Sequence, residues 1–200
     1  MMMRLNGILA RVPRPLLFAA AGVMQVVLIA LIVFDRVSIL REGAEVTLQT
    51  TPVDPRDFLR GDYVTLNYEI GTIPTGALKD TRMAGRHMPL YVKLAPHPNG
   101  IYQPVSLHLE PPAVIAPEVL IRGRADGGSH CGEDHRSFCA TVRITYGIDR
   151  YFVPEGEGTE IEKARDKGNV TVIAAVTPAG RAAIKRLLVD GKPVYDEPLF

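Results

Sequence analysis

The sequence predicts a mainly β domain, built as an antiparallel sheet or a partly open barrel with few short helices, behind one N-terminal transmembrane helix. Three observations support this prediction. An apolar run spans residues 15–34, several later segments alternate apolar and polar side chains, and 16 Pro and 18 Gly divide the chain into short segments. Alternation is typical of strands with one buried face, and Pro and Gly are typical of turns between strands. The 200 residues suffice for one domain with its own core, so we expect a tail at 1–14, a helix at 15–34 and a domain at 42–200.

The apolar run at 15–34 is long enough to cross a lipid bilayer. Gln25 is its one polar side chain, and a helix of this length spans about 30 Å, the thickness of the hydrocarbon core. The residues after Phe34 do not form a signal-peptide cleavage site, so we expect the helix to remain as an anchor. The positive-inside rule favours a cytoplasmic N-terminus and places the domain outside. The arginines that decide this are Arg4, Arg11 and Arg14 before the run, and Arg36 and Arg41 after it.

Two segments show the clearest strand alternation. In residues 63–70 the apolar positions include Leu66 and Tyr68, so we expect these two side chains to face the core. Tyr63 falls on the opposite face of the same strand. Residues 141–146 repeat the pattern. Further strands are expected at 44–49, 90–94, 105–109, 119–122 and 170–176.

Turn chemistry decides the assignment of two C-terminal segments. The apolar residues of 181–189 have helical spacing, but the strong hairpin dipeptide Asp190-Gly191 follows directly. We therefore expect a strand that ends in a hairpin. Residues 160–167 are predicted to form a short helix that is closed by Gly168.

A charged loop precedes the strand that begins at Tyr63. Pro52 and Pro55 restrict its backbone. Its acidic and basic side chains could satisfy one another as exposed ion pairs, which are individually weak, or they could form a docking edge for another protein. The candidate binding residues of this loop are Asp54, Asp57, Arg60, Asp62 and Tyr63.

Residues 61–68 read Gly-Asp-Tyr-Val-Thr-Leu-Asn-Tyr, which matches a GDYxxLxY signature at every specified position. Residues 146–156 are similar to a second characteristic block of the same family. The chain therefore resembles the GDYXXLXY family of bacterial membrane-anchored proteins over most of its length. The resemblance implies a bacterial envelope protein with a polytopic membrane protein as partner. Together with the apolar run and its flanking arginines, this favours a single-pass protein of the bacterial inner membrane with a periplasmic domain. It implies no established biochemical activity.

The second block adds charged side chains beside aromatic ones. Ile148, Phe152 and Val153 are expected to pack in the core. The charged groups either complete a site with the first loop or form a buried ion pair that fixes a strand crossover. These candidate binding residues are Asp149, Arg150 and Glu155.

The sequence contains two cysteines, Cys131 and Cys139. In an oxidising compartment, a pair this close in sequence indicates a disulfide that closes a loop. His130 and His135 lie beside them, but the spacing of the four side chains matches no standard zinc pattern. The sequence therefore predicts a disulfide and neither a metal nor a cofactor.

The common catalytic motifs are missing from the sequence. It contains no Gly-x-Ser-x-Gly elbow, phosphate loop, His-Glu-x-x-His or Rossmann fingerprint. Residues 58–62 are similar to the strand entry after the catalytic serine of bacterial signal peptidases. However, Val53-Asp54-Pro55 occupies the place of that nucleophile, so a Ser–Lys dyad is not carried over. The net charge of +1 gives no general attraction to nucleic acid.

These observations favour a non-catalytic binding or accessory domain that acts on another envelope protein. The alternative is a signal-peptidase-like or metal-dependent envelope hydrolase domain. A binding module needs an exposed apolar or charged patch, whereas an enzyme needs a concave site with a converging acid–base set.

Overall fold

The computed structural model describes residues 13–52, 63–74, 88–126, 141–152 and 158–196. It shows a mostly β fold of antiparallel sheets, with one nearly closed barrel and one N-terminal apolar helix. The predicted fold class is therefore confirmed. The chain divides into two compact units, one that ends at Ser38 and one that begins at Ile39.

The N-terminal helix, α1, spans Arg14–Glu42. Within the described residues it is the one helix long and apolar enough to cross a membrane, with a mean hydropathy of 2.7 over its most apolar window. Apart from the partly exposed Leu17, the large apolar side chains from Leu16 to Phe34 are exposed along it, as expected for a segment that is solvated by lipid. The helix does not end with the apolar run, because neither Asp35 nor Arg36 breaks a helix.

The last turn of α1 belongs to the second compact unit. Ile39 and Leu40 are 6% and 1% exposed, and they form a small apolar cluster with Ala175 and Ala183. The chain then turns at Gly43 into the first strand. A Cβ at Gly43 would lie 2.6 Å from the Ile39 carbonyl oxygen, so this joint requires glycine.

Two five-stranded antiparallel sheets and a two-stranded ribbon form the β fold. The first sheet has the order β12-β11-β10-β1-β3, with β1 Ala44–Thr51, β3 Asn67–Tyr68, β10 Val170–Val176, β11 Ala182–Val189 and β12 Lys192–Asp196. The second has the order β4-β8-β7-β5-β6, with β4 Thr72–Pro74, β5 Pro89–Pro96, β6 Tyr102–His108, β7 Val119–Ala125 and β8 Thr141–Thr145. The ribbon pairs β2 Tyr63–Thr65 with β9 Arg150–Phe152. The sequence pattern did not predict β4, β9 or β12.

The predicted strand at 63–70 has the expected phase but is not continuous. Leu66 and Tyr68 are 0% and 4% exposed, which confirms the predicted inward positions. The segment breaks at Leu66 and ends in a 3₁₀ turn at Glu69–Gly71. As a result β2 pairs with β9, β3 with β1, and β4 with β8. One stretch of sequence thus joins all three sheets.

The C-terminal predictions are also confirmed. Residues 182–189 form β11, and the hairpin turn has positive φ at Asp190 (51°) and Gly191 (75°), as a two-residue hairpin of the type I′ class requires. The second helix, α2, spans Gly158–Asp166. Gly168, with φ 76°, lies directly beyond it.

Candidate functional site

Two of the predicted site residues, Asp149 and Arg150, are fully described by the structure, and Tyr63 is described as part of strand β2. The other predicted site residues, Asp54, Asp57, Arg60, Asp62 and Glu155, lie outside the described residues. Cys131 and Cys139 also lie outside them, so the structure, which shows no disulfide among the residues it describes, leaves their disulfide a prediction.

The β2–β9 ribbon brings the two sequence blocks together. Tyr63 is opposite Phe152, and Thr65 is opposite Arg150. The contact continues beyond the ribbon, because the Leu66 N–H donates a hydrogen bond of 2.8 Å to the Asp149 carbonyl oxygen. The chain segments around Tyr63 and Asp149 are therefore neighbours, although they are far apart in sequence.

Two buried tyrosines brace this junction in opposite directions. The Tyr68 hydroxyl, in the first block, donates to the Ile148 carbonyl oxygen at 2.7 Å. The Tyr146 hydroxyl, in the second block, donates to the Ile70 carbonyl oxygen at 2.6 Å. Burial, and secondarily the negative charge of Asp149, raises the pKa of both tyrosines well above the usual value. Both hydroxyls therefore stay protonated and remain hydrogen-bond donors, and we call the pair the tyrosine brace.

Asp149 lies beside the tyrosine brace in a half-buried position. The Gly147 N–H donates to its Oδ2 atom at 3.2 Å. Burial raises the pKa of the Asp149 carboxyl, while backbone N–H donors, including that of Gly147, and the Arg150 charge oppose part of the shift. The carboxylate is thus held in a fixed orientation by the local backbone, and its negative charge is incompletely compensated.

A cavity of about 140 Å³ opens beside Asp149. It lies where β1, β3, the 3₁₀ turn, β4 and β8 meet, and its wall is mainly polar. Arg143, an exposed residue of β8, contributes the positive charge of the cavity. The lining residues are Thr51, Asn67, Tyr68, Gly71, Thr72, Arg143, Ile144, Thr145 and Asp149.

Arg143 was not among the residues predicted from the sequence. It occupies an outward position of the alternating strand β8, where a charged side chain is expected whether or not it has a function. The informative feature is the pairing of β8 with β4, which brings Thr72 opposite Arg143. A single sequence contains no signal for this long-range pairing.

The predicted packing role of Phe152 is wrong. Phe152 is 74% exposed, while the neighbouring Tyr151 is 3% exposed. Side chains alternate across a strand, so in β9 only the middle residue faces the core. Ile148, at 2% exposed, is buried as predicted. Val153 lies outside the described residues.

A buried arginine on α2 supports the ribbon from the other side. Arg165 is 3% exposed, and its Nη1 donates to the Thr65 carbonyl oxygen at 2.8 Å. Its Nε and Nη2 donate to Asp166 Oδ1 at 3.0 and 2.8 Å. The guanidinium therefore links α2 to the end of β2 and is itself neutralised by an adjacent carboxylate.

Metal-binding capacity can be judged only for the part of the chain that the structure describes. In that part no group of three His, Cys, Asp or Glu side chains is arranged to hold a metal ion. The residues weighed as zinc ligands in the sequence, His130, Cys131, His135 and Cys139, lie outside it.

The fold and the site together define the class of protein: an antiparallel β domain that follows one helix able to span a membrane, with two sequence blocks joined by the tyrosine brace. The chain belongs to the GDYXXLXY family. The model of this family, which is described as GDYXXLXY protein, matches residues 25–187. Neither the curated proteins nor the solved structures contain a match to this chain. The tyrosine brace gives a structural reason for one signature position, Tyr68, whose hydroxyl bonds the second block. Leu66, another signature position, is a fully buried core residue.

Proposed function

We propose that this protein is a membrane-anchored periplasmic accessory domain that binds another envelope protein and does not act as a catalyst. The anchor is α1, and the distribution of arginines around the apolar run supports an inner-membrane protein with its N-terminus in the cytoplasm. Membership of a family of membrane-anchored proteins supports a polytopic membrane protein as the partner.

The observation that carries this proposal is the exposed surface of β9. Phe152 is 74% exposed, and Arg150, two positions away on the same face, is exposed as well. Aromatic and arginine side chains are enriched among residues that dominate protein–protein binding energies. The ribbon, the Leu66 bond to Asp149 and the tyrosine brace fix the backbone beneath them, which lowers the entropic cost of binding.

Site-specific photocrosslinking in intact bacterial membranes tests this proposal. A photoreactive phenylalanine analogue at Phe152 is expected to give one predominant protein adduct, and Arg150→Glu should reduce its yield. The matched control places the same analogue at Val194, which is 50% exposed on β12. Equal adducts from both positions, or adducts with lipid alone, would contradict a protein-binding role for β9.

The periplasmic location carries its own expectation for the cysteines. We infer that Cys131 and Cys139 form a disulfide, because an oxidising compartment favours pairing of two cysteines so close in sequence. Mass spectrometry of the alkylated, unreduced protein should show both thiols protected. Two alkylated cysteines would contradict the disulfide.

A further inference from the structure

Two side chains of opposite charge line the same cavity without pairing with one another. Arg143 and Asp149 both contribute to its wall, yet within the described residues they form no ion pair with each other. The Arg143 guanidinium likewise has no side-chain or backbone partner among the described residues, and the partners of the Asp149 carboxylate are backbone N–H groups and the neighbouring Arg150 charge. Two such groups in one cavity suit a ligand that carries both charges.

Local backbone bonds hold Asp149 in place. The Asp149 carbonyl oxygen accepts from the Leu66 N–H at 2.8 Å, and its Oδ2 accepts from the Gly147 N–H at 3.2 Å. Main chain and carboxylate are therefore both fixed in the absence of a ligand. Arg143 stands on a different element, strand β8. Preorganisation of the Asp149 carboxylate lowers the cost of binding a ligand there.

The rest of the wall suits a small polar ligand. Thr51, Asn67, Thr72 and Thr145 also line the cavity, and residues of these types carry hydroxyl and amide groups that both donate and accept hydrogen bonds. One water molecule occupies about 30 Å³ of liquid volume. A cavity of about 140 Å³ thus has room for a molecule of the size of glycine or alanine.

We propose that this cavity binds a small zwitterion of the α-amino-acid class, with the ligand carboxylate on Arg143 and the ligand ammonium on Asp149. A guanidinium binds a carboxylate through two parallel N–H bonds. A carboxylate has about four lone-pair positions on its two oxygens, so one that accepts backbone bonds retains capacity for an ammonium. This binding is separate from the protein contact proposed for Phe152, so either proposal can fail without the other.

Calorimetric titration of the full-length protein in detergent tests the proposal with three related probes. L-alanine carries both charges, N-acetyl-L-alanine lacks the ammonium, and L-alaninamide lacks the carboxylate. We expect L-alanine to bind at least about tenfold more tightly than either analogue, because each analogue forfeits one charge-assisted interaction. Concentrations up to about 10 mM cover even weak millimolar affinities.

Two variants assign the two charges to their residues. Arg143→Gln should weaken L-alanine about tenfold and leave L-alaninamide unchanged, whereas Asp149→Asn should weaken L-alanine and leave N-acetyl-L-alanine unchanged. Arg124→Gln is the matched control, because Arg124 is exposed on β7 and does not line the cavity. Circular dichroism checks that each variant is folded. Absence of L-alanine binding, equal binding of the three probes, or an equal loss in Arg124→Gln would overturn the proposal.

Discussion

Tyr68 and Tyr146 each combine a buried aromatic ring with a hydroxyl that reaches a carbonyl oxygen in the other sequence block. The periodicity of the strands predicted that both rings face inward. It did not predict the hydroxyl bonds, because their acceptors, Ile148 and Ile70, are set by a long-range chain crossing. For a tyrosine at an inward strand position, the sequence thus predicts burial of the ring, but the tertiary structure is needed to identify the acceptor of its hydroxyl.

Removing one hydroxyl of the tyrosine brace should lower the stability of the domain. Tyr68→Phe leaves the buried Ile148 carbonyl without its donor, which we expect to cost about 1–3 kcal/mol in the free energy of unfolding. Tyr102→Phe is the control, since the Tyr102 hydroxyl makes an exposed bond of 3.4 Å to the Pro117 carbonyl. Denaturant unfolding of the full-length protein in detergent measures both. Equal losses in the two variants would show that the brace is not specifically stabilising.

Asp149 makes stability depend on pH. Burial raises the pKa of its carboxyl in the folded state, so folding favours the protonated form. This contribution to stability is fully present below the pKa of the unfolded chain, about 3.9, and is lost as the pH rises through the higher folded-state pKa. Asp149→Asn stays neutral throughout, so its stability relative to the natural protein should increase as the pH rises across this window.

Thermal melts at a series of pH values measure this difference for the two proteins. Asp126→Asn is the control, because it makes the same change of side chain at an exposed position. A difference between Asp149→Asn and the natural protein that is constant with pH would contradict the linkage.

At the scale of elements, alternation and turn chemistry predicted where most strands lie and which face they bury. The segment 63–70 shows that these patterns do not predict which strands pair with each other. Its inward positions follow from period-2 spacing, but its division between two partner strands depends on β9 and β1. The residues that follow it, in β4, pair with a third strand, β8. Pairing partners are non-local contacts, and one sequence records only the local pattern. The same limit explains why Arg143 and Asp149 could not be assigned to one cavity in advance.

The joint between α1 and β1 gives a prediction about an element boundary. Gly43→Ala places a Cβ 2.6 Å from the backbone oxygen of Ile39, which the backbone can relieve only by shifting. We expect a loss of about 1–3 kcal/mol, typical of overpacking. Gly22→Ala is the matched control, since nothing lies within 4 Å of a Cβ at that position of α1. Unfolding measurements on the full-length proteins compare the two variants. Equal stability would mean that the backbone at Gly43 accommodates a Cβ without cost.

At the scale of the whole molecule, the boundary of the β domain follows from burial rather than from hydropathy. The apolar run ends at Phe34, and the sequence predicted a domain that begins near Glu42. The compact unit begins at Ile39, because the last turn of α1 packs on the sheet. Ile39 and Leu40 are apolar, so hydropathy alone does not separate them from the residues of the membrane-spanning run. Their burial against Ala175 and Ala183 does.

A fragment that begins at Ile39 should therefore be more stable than one that begins at Glu42. The shorter fragment lacks Ile39 and Leu40, and burial of each such side chain stabilises by about 1.5–3 kcal/mol. It also uncovers Ala183, which is 0% exposed in the intact protein. We expect residues 39–200 to melt at a higher temperature than residues 42–200 and to aggregate less. Leu40→Ala in the longer fragment should lower its melting temperature most of the way to that of the shorter fragment, because it truncates the most deeply buried side chain of that turn. Identical melting of the two fragments would mean that the turn contributes no stability and that the domain begins at β1.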